Sequence, residues 1–435
     1  MSIKKENTLI LGGGLAGLSA CYHGDGVVYE KDITDGGHAR SHSSDGFIFD
    51  EGIHVLHTSN EYILSLCEDL GVNLEMKDRD AWIHSHGVMT RYPFQANTYG
   101  LPIEIVKDCL LGFIENNHKK ADIRNYEDWV RYIFGDGIAN NFMIPYSKKF
   151  WGVDPKDLTT DWVNVRHPRP SIDEIITGAI SDQKKGFGIN ASFRYPKEGG
   201  FGYIGKCLSD ACDGKVNKGM RATHIDLTNQ IITFNDAQEV EYEKLLSTIP
   251  LPELLKIIPE TPKKILDVSD KLKTNSIYVV NIGVNRPNIT DKSWIYFLEK
   301  EFSFVRVSFP FNFVHNPDSV VPSGCSSISV EIAYGNDNPL PGSNQAEIIE
   351  RVKQDLIKVN ILKSDDEIVY LDTYDIKYGY VIYDKEKKSA VKTIHSYLKP
   401  FNIIPCGRYG LWAYLWSDEA MMSGKVAAEK LLDES

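Results

Sequence analysis

Three glycines in the spacing GxGxxG, Gly12, Gly14 and Gly17, stand between an apolar run, Asn7-Thr8-Leu9-Ile10-Leu11, and a helical pattern, Leu18-Ser19-Ala20-Cys21. A strand, a tight glycine turn and a helix start bring backbone N–H groups and the positive end of a helix dipole against a pyrophosphate, with Leu15 and Ala16 in the same turn. A second short apolar strand, Val27-Val28-Tyr29, ends on Glu30. Its carboxylate is placed to accept from the ribose hydroxyls of a dinucleotide's adenosine half, and an acid there favours an unphosphorylated ribose. The chemistry these residues point to is dinucleotide binding.

Two further groups are suited to chemistry. The run Phe47–His57, FIFDEGIHVLH, reads as a strand that turns at Gly52 and carries His54 back toward the cofactor. A buried structural histidine is the competing reading. In Arg91-Tyr92-Pro93-Phe94-Gln95-Ala96-Asn97, rings and amides suit a planar base, with Tyr92 or Phe94 to stack on it and Gln95 to hydrogen-bond a pyrimidine edge. Its generic alternative is an edge strand ending in a proline turn. No Ser/His/Asp triad, paired carboxylates or metal-ligand spacing stands out.

These residues need elements to hold them. At 435 residues the chain is too long for one core and suggests two or three domains. A helix over Asn60–Leu74 and a hairpin around His86-Gly87 follow the histidine run, and Leu101 to about Gly186 reads mostly helical, with helices over Ile103–Ile114 and Tyr126–Ile133. A helix over 203–212 leads to a small meander, Thr223–Phe234 with Val240–Tyr242, that returns to the first domain. From about Lys271 the pattern is strand-rich: Ser276–Val284, Trp294–Phe297, Phe304–Phe309 and Ser326–Ala333, then a helix Gln345–Val359 and a strand Ile368–Tyr370. A last helix covers Ser417–Leu432.

The expected fold is α/β: a Rossmann-like dinucleotide-binding domain (1–80 with 200–265 and 400–435), an inserted helical domain (100–199) and an antiparallel β-sheet domain (81–99 with 266–399).

Net charge of −12 argues against nucleic acid or an anionic membrane as partner. Seven scattered cysteines without a CxxC read as reduced thiols and no zinc site. Met1 runs almost directly into the first strand, and no apolar run reaches the roughly 18 residues of a membrane span. A cytoplasmic location is expected.

After Glu30 the chain reads Lys31-Asp32-Ile33-Thr34-Asp35-Gly36-Gly37-His38-Ala39-Arg40-Ser41. This resembles the E-x(5)-GG-x-x-x-S extension of the flavoproteins that include amine oxidases, protoporphyrinogen oxidase and UDP-galactopyranose mutase. The resemblance implies FAD, with Lys31, Gly36, Gly37 and Arg40 beside it.

Within that group, RYPFQAN followed by Leu101-Pro102 resembles the YPFQNN…LP segment of the eukaryotic type of UDP-galactopyranose mutase, where it holds uridine. Asn141-Phe142-Met143-Ile144-Pro145-Tyr146-Ser147-Lys148-Lys149-Phe150-Trp151, leading to Trp162 and Arg166, is similar to the mutases' NFMxPYNxKxW…W-x-x-x-R pattern. Asn190-Ala191-Ser192-Phe193-Arg194-Tyr195-Pro196, with Gly199-Gly200, is similar to NATFRFP…GG. By this resemblance Tyr92, Phe94 and Gln95 meet the base, and Trp151 and Asn190 lie at the sugar nucleotide. Arg166, Arg408, Tyr380 and Tyr414 bind the diphosphate. His54 occupies the family's histidine loop, and Asp418 opens the last helix at the flavin.

Three positions and one short segment depart from the pattern. Ile53 replaces a glycine of the histidine loop, Ser147 replaces asparagine, and Asn285 replaces a pyrophosphate-binding arginine, with Arg286 next to it as the candidate. Asp418-Glu419-Ala420-Met421 replaces an asparagine and an aspartate-histidine pair.

The resemblance implies a reaction in which reduced FAD, through flavin nitrogen 5, displaces the nucleoside diphosphate from the sugar. The ring opens, recloses in the other size and is recaptured by the diphosphate, so that pyranose and furanose interconvert. UDP-galactose or a related UDP or dTDP hexose is the expected substrate, with NAD(P)H or another reductant for the flavin; a homo-oligomer is compatible with this reading. The alternatives are an FAD-dependent oxidoreductase of the amine-oxidase or protoporphyrinogen-oxidase type, and an altered relative that binds a nucleotide sugar without isomerising it.

Overall fold

The computed structural model describes residues 3–163, 167–188, 191–335 and 338–433. Leu9, Ile10 and Leu11 are fully or almost fully buried, as a central parallel strand covered on both faces requires. Their strand, Lys4–Leu11, pairs in parallel with Glu239–Ser247 on one side and Val27–Tyr29 on the other. Ile231–Phe234 and Ala222–Asp226 extend this sheet antiparallel beyond Glu239–Ser247, Val216–Asn217 closes the opposite edge, and Ile403–Pro405 runs beside the end of Glu239–Ser247. Segments from the start, middle and end of the chain thus build one sheet. The helix Leu15–His23 packs on it and meets the last helix, Ser417–Asp433, so closely that a Cβ on Gly424 would fall 2.0 Å from the Ala16 carbonyl.

The second sheet has the order Ile368–Ile376, Ser276–Val284, Ser326–Tyr334, Arg306–Ser308, Trp294–Phe297, Ala81–Ser85 and Val88–Arg91. Its strands are antiparallel except where Trp294–Phe297 meets Ala81–Ser85 in parallel. That junction qualifies the expectation of a purely antiparallel sheet: the 81–91 hairpin is an add-on from far upstream, and its direction is not set by a tight turn from its neighbour.

Helices Ile103–Ile114, Tyr126–Ile138, Ile144–Trp151 and Ile172–Ile180 form the helical layer. Gly135 interrupts the second at φ +73°, where a Cβ would lie 1.8 Å from the Gly112 carbonyl, and a π-helical turn, Ala139–Met143, joins it to the third. Such turns re-aim side chains at functional sites.

Several elements lie outside the sequence expectations, the helix Lys387–Leu398 and the strand Ser41–Ser44 among them. Ser192–Pro196 is a strand paired with Leu74–Asp78. The stretch after Ser247 forms helices Leu251–Lys256 and Lys263–Ser269, with a proline at the start of the first, a position the residue favours. Among the described residues no helix is long and apolar enough to cross a membrane.

Candidate active site

The glycine turn forms a cradle that side chains would fill. Gly12 has φ +101°, and a Cβ on it would sit 2.2 Å from Thr248 Oγ1; one on Gly17 would sit 2.0 Å from the Gly12 carbonyl. Gly14 starts the Leu15–His23 helix with no side-chain cap, leaving its first N–H groups for an anion. Gly36 and Gly37, both at positive φ, close over Gly14, and the Gly36 N–H donates to the Gly13 carbonyl at 2.8 Å. Glu30 ends its strand as expected. Its carboxylate accepts from the Gly13 N–H at 2.6 Å and the Asp32 N–H at 2.9 Å, which points it at the turn. Leu15 and Ala16 are buried in the first turn. Arg40 donates to the Gly37 carbonyl and pairs with Asp32 at 2.7 Å, bracing the second glycine pair. Lys31 is exposed and pairs with Asp32.

Beside the cradle lies a cavity of about 310 Å³ walled by the histidine loop, the helical layer, the second sheet and the 379–417 segment. His54 reaches it from the turn at Gly52 (φ +82°), with Nδ1 donating to the Gly52 carbonyl at 3.2 Å. Burial, helped by the charge of Arg408, lowers its pKa to about 4, so it is neutral at pH 7.

Of the base-binding candidates, Tyr92 lines the cavity with the Arg79 guanidinium 4.3 Å from its ring. Gln95 lines it too, its Nε2 donating to the Pro168 carbonyl at 2.8 Å. Phe94 is not brought there. It sits on the other side of the short helical turn Phe94–Ala96, fully buried and stacked on Phe142 at 4.6 Å.

Trp151 stands edge-on to Tyr380 and Tyr414, and all three line the cavity. Arg408 lies 5.7 Å from the Tyr380 ring and 6.0 Å from the Tyr414 ring, its Nε and a terminal nitrogen donating to the Leu415 carbonyl.

Arg286 is corrected by its position. Past the end of Ser276–Val284 it forms a two-pronged pair with Asp366 and donates to the Ile361 carbonyl, away from the cavity. The arginine that the second sheet does deliver is Arg306, with Nε 2.6 Å from Glu331 Oε2. Burial opposes its charge, but Glu331 outweighs this and holds its pKa well above the usual value. Glu331 Oε1 also accepts from the Ile53 N–H at 2.9 Å, tying the histidine loop to the sheet. The sequence carries a signal for both, since each is a lone charge inside an apolar strand pattern, FVRVSF and ISVEIAY. Tyr146, His57, Trp294, Tyr296 and Trp416 also line the cavity and were absent from the sequence candidates. Asp418 lies in the first turn of the last helix, where Thr58 hydrogen-bonds it and burial raises its pKa. Arg166 and Asn190 fall outside the described residues.

The family described as flavin containing amine oxidoreductase matches residues 15–374. The chain belongs to this family.

Its cofactor is FAD, and an uncapped helix start behind glycines whose close approaches leave no room for a Cβ is a shape that fits its pyrophosphate. The fold is that of an FAD-binding amine oxidoreductase with mixed α/β layers. A solved structure of reduced UDP-galactopyranose mutase superposes on all of the chain and 95% of its own length, with a TM-score of 0.90 and 28% identity. A putative protoporphyrinogen oxidase from Exiguobacterium sp. 255-15 superposes over both full chains with a TM-score of 0.76 and 15% identity, which speaks for the fold alone. In sequence, the mitochondrial protoporphyrinogen oxidase of Nicotiana tabacum is 22% identical over 267 residues, 52% of this chain. The match spans about half of that relative's length (50%). The chain is thus an enzyme of the FAD oxidoreductase superfamily, similar along its length to a mutase.

Proposed function

We propose that this flavoenzyme interconverts the pyranose and furanose forms of a nucleotide-linked hexose, with UDP-galactose or a related UDP or dTDP sugar as substrate. The observation that carries the reading is one cavity lined by a ring-and-amide pair, Tyr92 and Gln95, and two arginines, Arg306 and Arg408, beside the glycine cradle. A base, a diphosphate and a flavin would need that combination. An oxidase acting on an amine has no use for the first two.

FAD held at the glycine turn and Glu30 would, in its reduced form, supply a nucleophile for the anomeric carbon. The protein's residues position and neutralise. Tyr92 offers a face to the base, and Gln95, its Nε2 held by Pro168, offers Oε1 to a pyrimidine N–H. Arg408 and Arg306, with Arg166 carried over from the mutases, balance the diphosphate while it leaves and when it returns. Tyr380 and Tyr414 hydrogen-bond it, while Trp151 and the surrounding rings exclude water. His54, neutral and fixed through Nδ1, keeps Nε2 for a hydrogen bond rather than a charge. Asn190 is proposed at the sugar, and NAD(P)H or another reductant supplies electrons.

The tobacco relative favours a second reading, an FAD-dependent oxidase or dehydrogenase. Incubation with UDP-galactopyranose and a panel of UDP and dTDP hexoses, with and without dithionite, separates the two. An isomer of unchanged mass formed only with reduced flavin supports the mutase. Bleaching of oxidised flavin by an amine or alcohol, without isomer, supports the oxidase.

A further inference from the structure

Helix Ile103–Ile114, IEIVKDCLLGFI, is apolar on most of its sides, yet only Val106 and Cys109 in it are fully buried. A helix of that composition normally lies inside a protein. Ile103, Leu111 and Ile114 fall on one stripe, at i, i+8 and i+11, and all three are exposed, Ile103 at 73%. Helix Ile172–Ile180 touches it and carries a second stripe, Ile172, Ile176 and Ile180 at i, i+4 and i+8, with Ile180 72% exposed. The inner side of this second helix is already taken. Ile175, Gly178 and Ala179 are buried there, and the Gly178 carbonyl accepts from the Thr98 and Tyr99 N–H groups.

The six exposed side chains present on the order of 600 Å², large for an apolar patch on a monomer and most of the roughly 800 Å² that each partner buries in a stable complex. The charges around the patch point to the occupant. Exposed Glu104 and Asp108 lie in the first half of helix Ile103–Ile114, and exposed Lys119 and Lys120 follow its end. Glu104 pairs with Lys107 at 3.5 Å, while Asp108, Lys119 and Lys120 have no ion-pair partner among the described residues. A second copy laid antiparallel across the stripe sets the acids of each helix against the lysines of the other, twice over by symmetry. An anionic bilayer offers nothing to the acids, and the net charge of −12 opposes its approach.

We propose that this face is the interface between two copies of the chain, related by a two-fold axis near Leu111. The isoleucine and leucine stripes meet at its centre, and the acids and lysines pair at its rim. The interface lies on the outside of the helical layer and does not depend on the mutase reading.

The test is sedimentation velocity of the FAD-loaded full chain between about 1 and 50 µM at low salt. The wild type should sediment with twice the mass of one chain at the top of that range. Ile103→Glu combined with Ile180→Glu, both at positions that already face water, should stay monomeric and keep its FAD spectrum. Two charge variants, Lys119→Glu with Lys120→Glu and Glu104→Lys with Asp108→Lys, should each dimerise about tenfold more weakly alone. Mixed together they should regain wild-type association, because the mixture restores opposite charges at both rims, and that recovery also shows both variants to be folded. A wild type that remains monomeric at the top of the range overturns the proposal, whether or not a vesicle or another protein binds the face. So does a dimer that persists unchanged in the glutamate variant, or a pair of charge variants that does not recover on mixing. No isomer is measured, so failure here is distinct from failure of the mutase reading.

Discussion

Arg306 and Glu331 stand directly opposite each other on neighbouring antiparallel strands and share a buried ion pair at 2.6 Å. Because Glu331 also holds the Ile53 N–H, one carboxylate fixes both an arginine of the cavity and the loop that carries His54. Removing the acid strands a buried cation, which typically costs about 3–5 kcal/mol. Glu331→Gln, which keeps an acceptor for Ile53, should lose roughly 2–4 kcal/mol in urea unfolding. Arg306→Met strands the buried carboxylate in turn and should cost a comparable amount, and it should weaken UDP binding by about tenfold or more in calorimetric titration. Unchanged UDP affinity in Arg306→Met would remove this arginine from the site.

Gln95 and Phe94 are neighbours with opposite fates. Gln95→Ala should weaken UMP binding by about tenfold, the worth of one buried hydrogen bond, with a small change in unfolding. Phe94→Ala should cost about 3–5 kcal/mol of stability through the cavity it leaves against Phe142. Equal effects of the two on UMP affinity in the folded proteins would contradict the assignment.

Arg286 sits at the far end of its strand with Asp366. Arg286→Ala should leave UDP affinity within about twofold of wild type and cost roughly 1 kcal/mol, measured by the same titration and unfolding. A large loss of affinity would return Arg286 to the site.

Burial depresses His54 and His57 to a pKa of about 4. The unfolded chain binds more protons than the folded one between about pH 6.5 and 4, so stability falls as pH drops through that window. Each histidine contributes up to roughly 3 kcal/mol at the acid limit. Asp50 acts in the opposite sense. Burial raises it to about 6, so the folded state binds the extra proton and gains stability as pH falls from about 6 toward 4. His57→Phe should flatten the net acid loss seen by chemical unfolding at pH 5 and pH 7; an unchanged difference would show that His57 already titrates normally.

The cradle was readable in the sequence because its strand, glycines and Glu30 are contiguous and every step is local. Tyr92, Gln95, Trp151, Tyr380, Arg408 and Tyr414 were readable through a resemblance in short runs that keep their order. For Arg306 the sequence shows only a lone charge in an apolar strand; its place in the site depends on a strand register with Glu331, 25 residues away, and on which face of the sheet meets the cavity. Arg286 misled for the same reason. The sheet is irregular between Gly283 and Val284, and the chain leaves it there before reaching the arginine. Phe94 was misplaced because a tight helical turn sends adjacent side chains to different sides.

The mutase reading stands on cleavage and re-formation of the anomeric C–O bond. The most direct test uses UDP-galactopyranose, or whichever hexose of the panel binds, labelled with heavy oxygen in the bridge between the sugar and the β-phosphate. With dithionite-reduced protein the label should move in part to non-bridging positions of that phosphate, and with oxidised protein it should stay. A label that stays in the bridge under both conditions, in a protein that binds both FAD and the nucleotide sugar, would contradict the mutase.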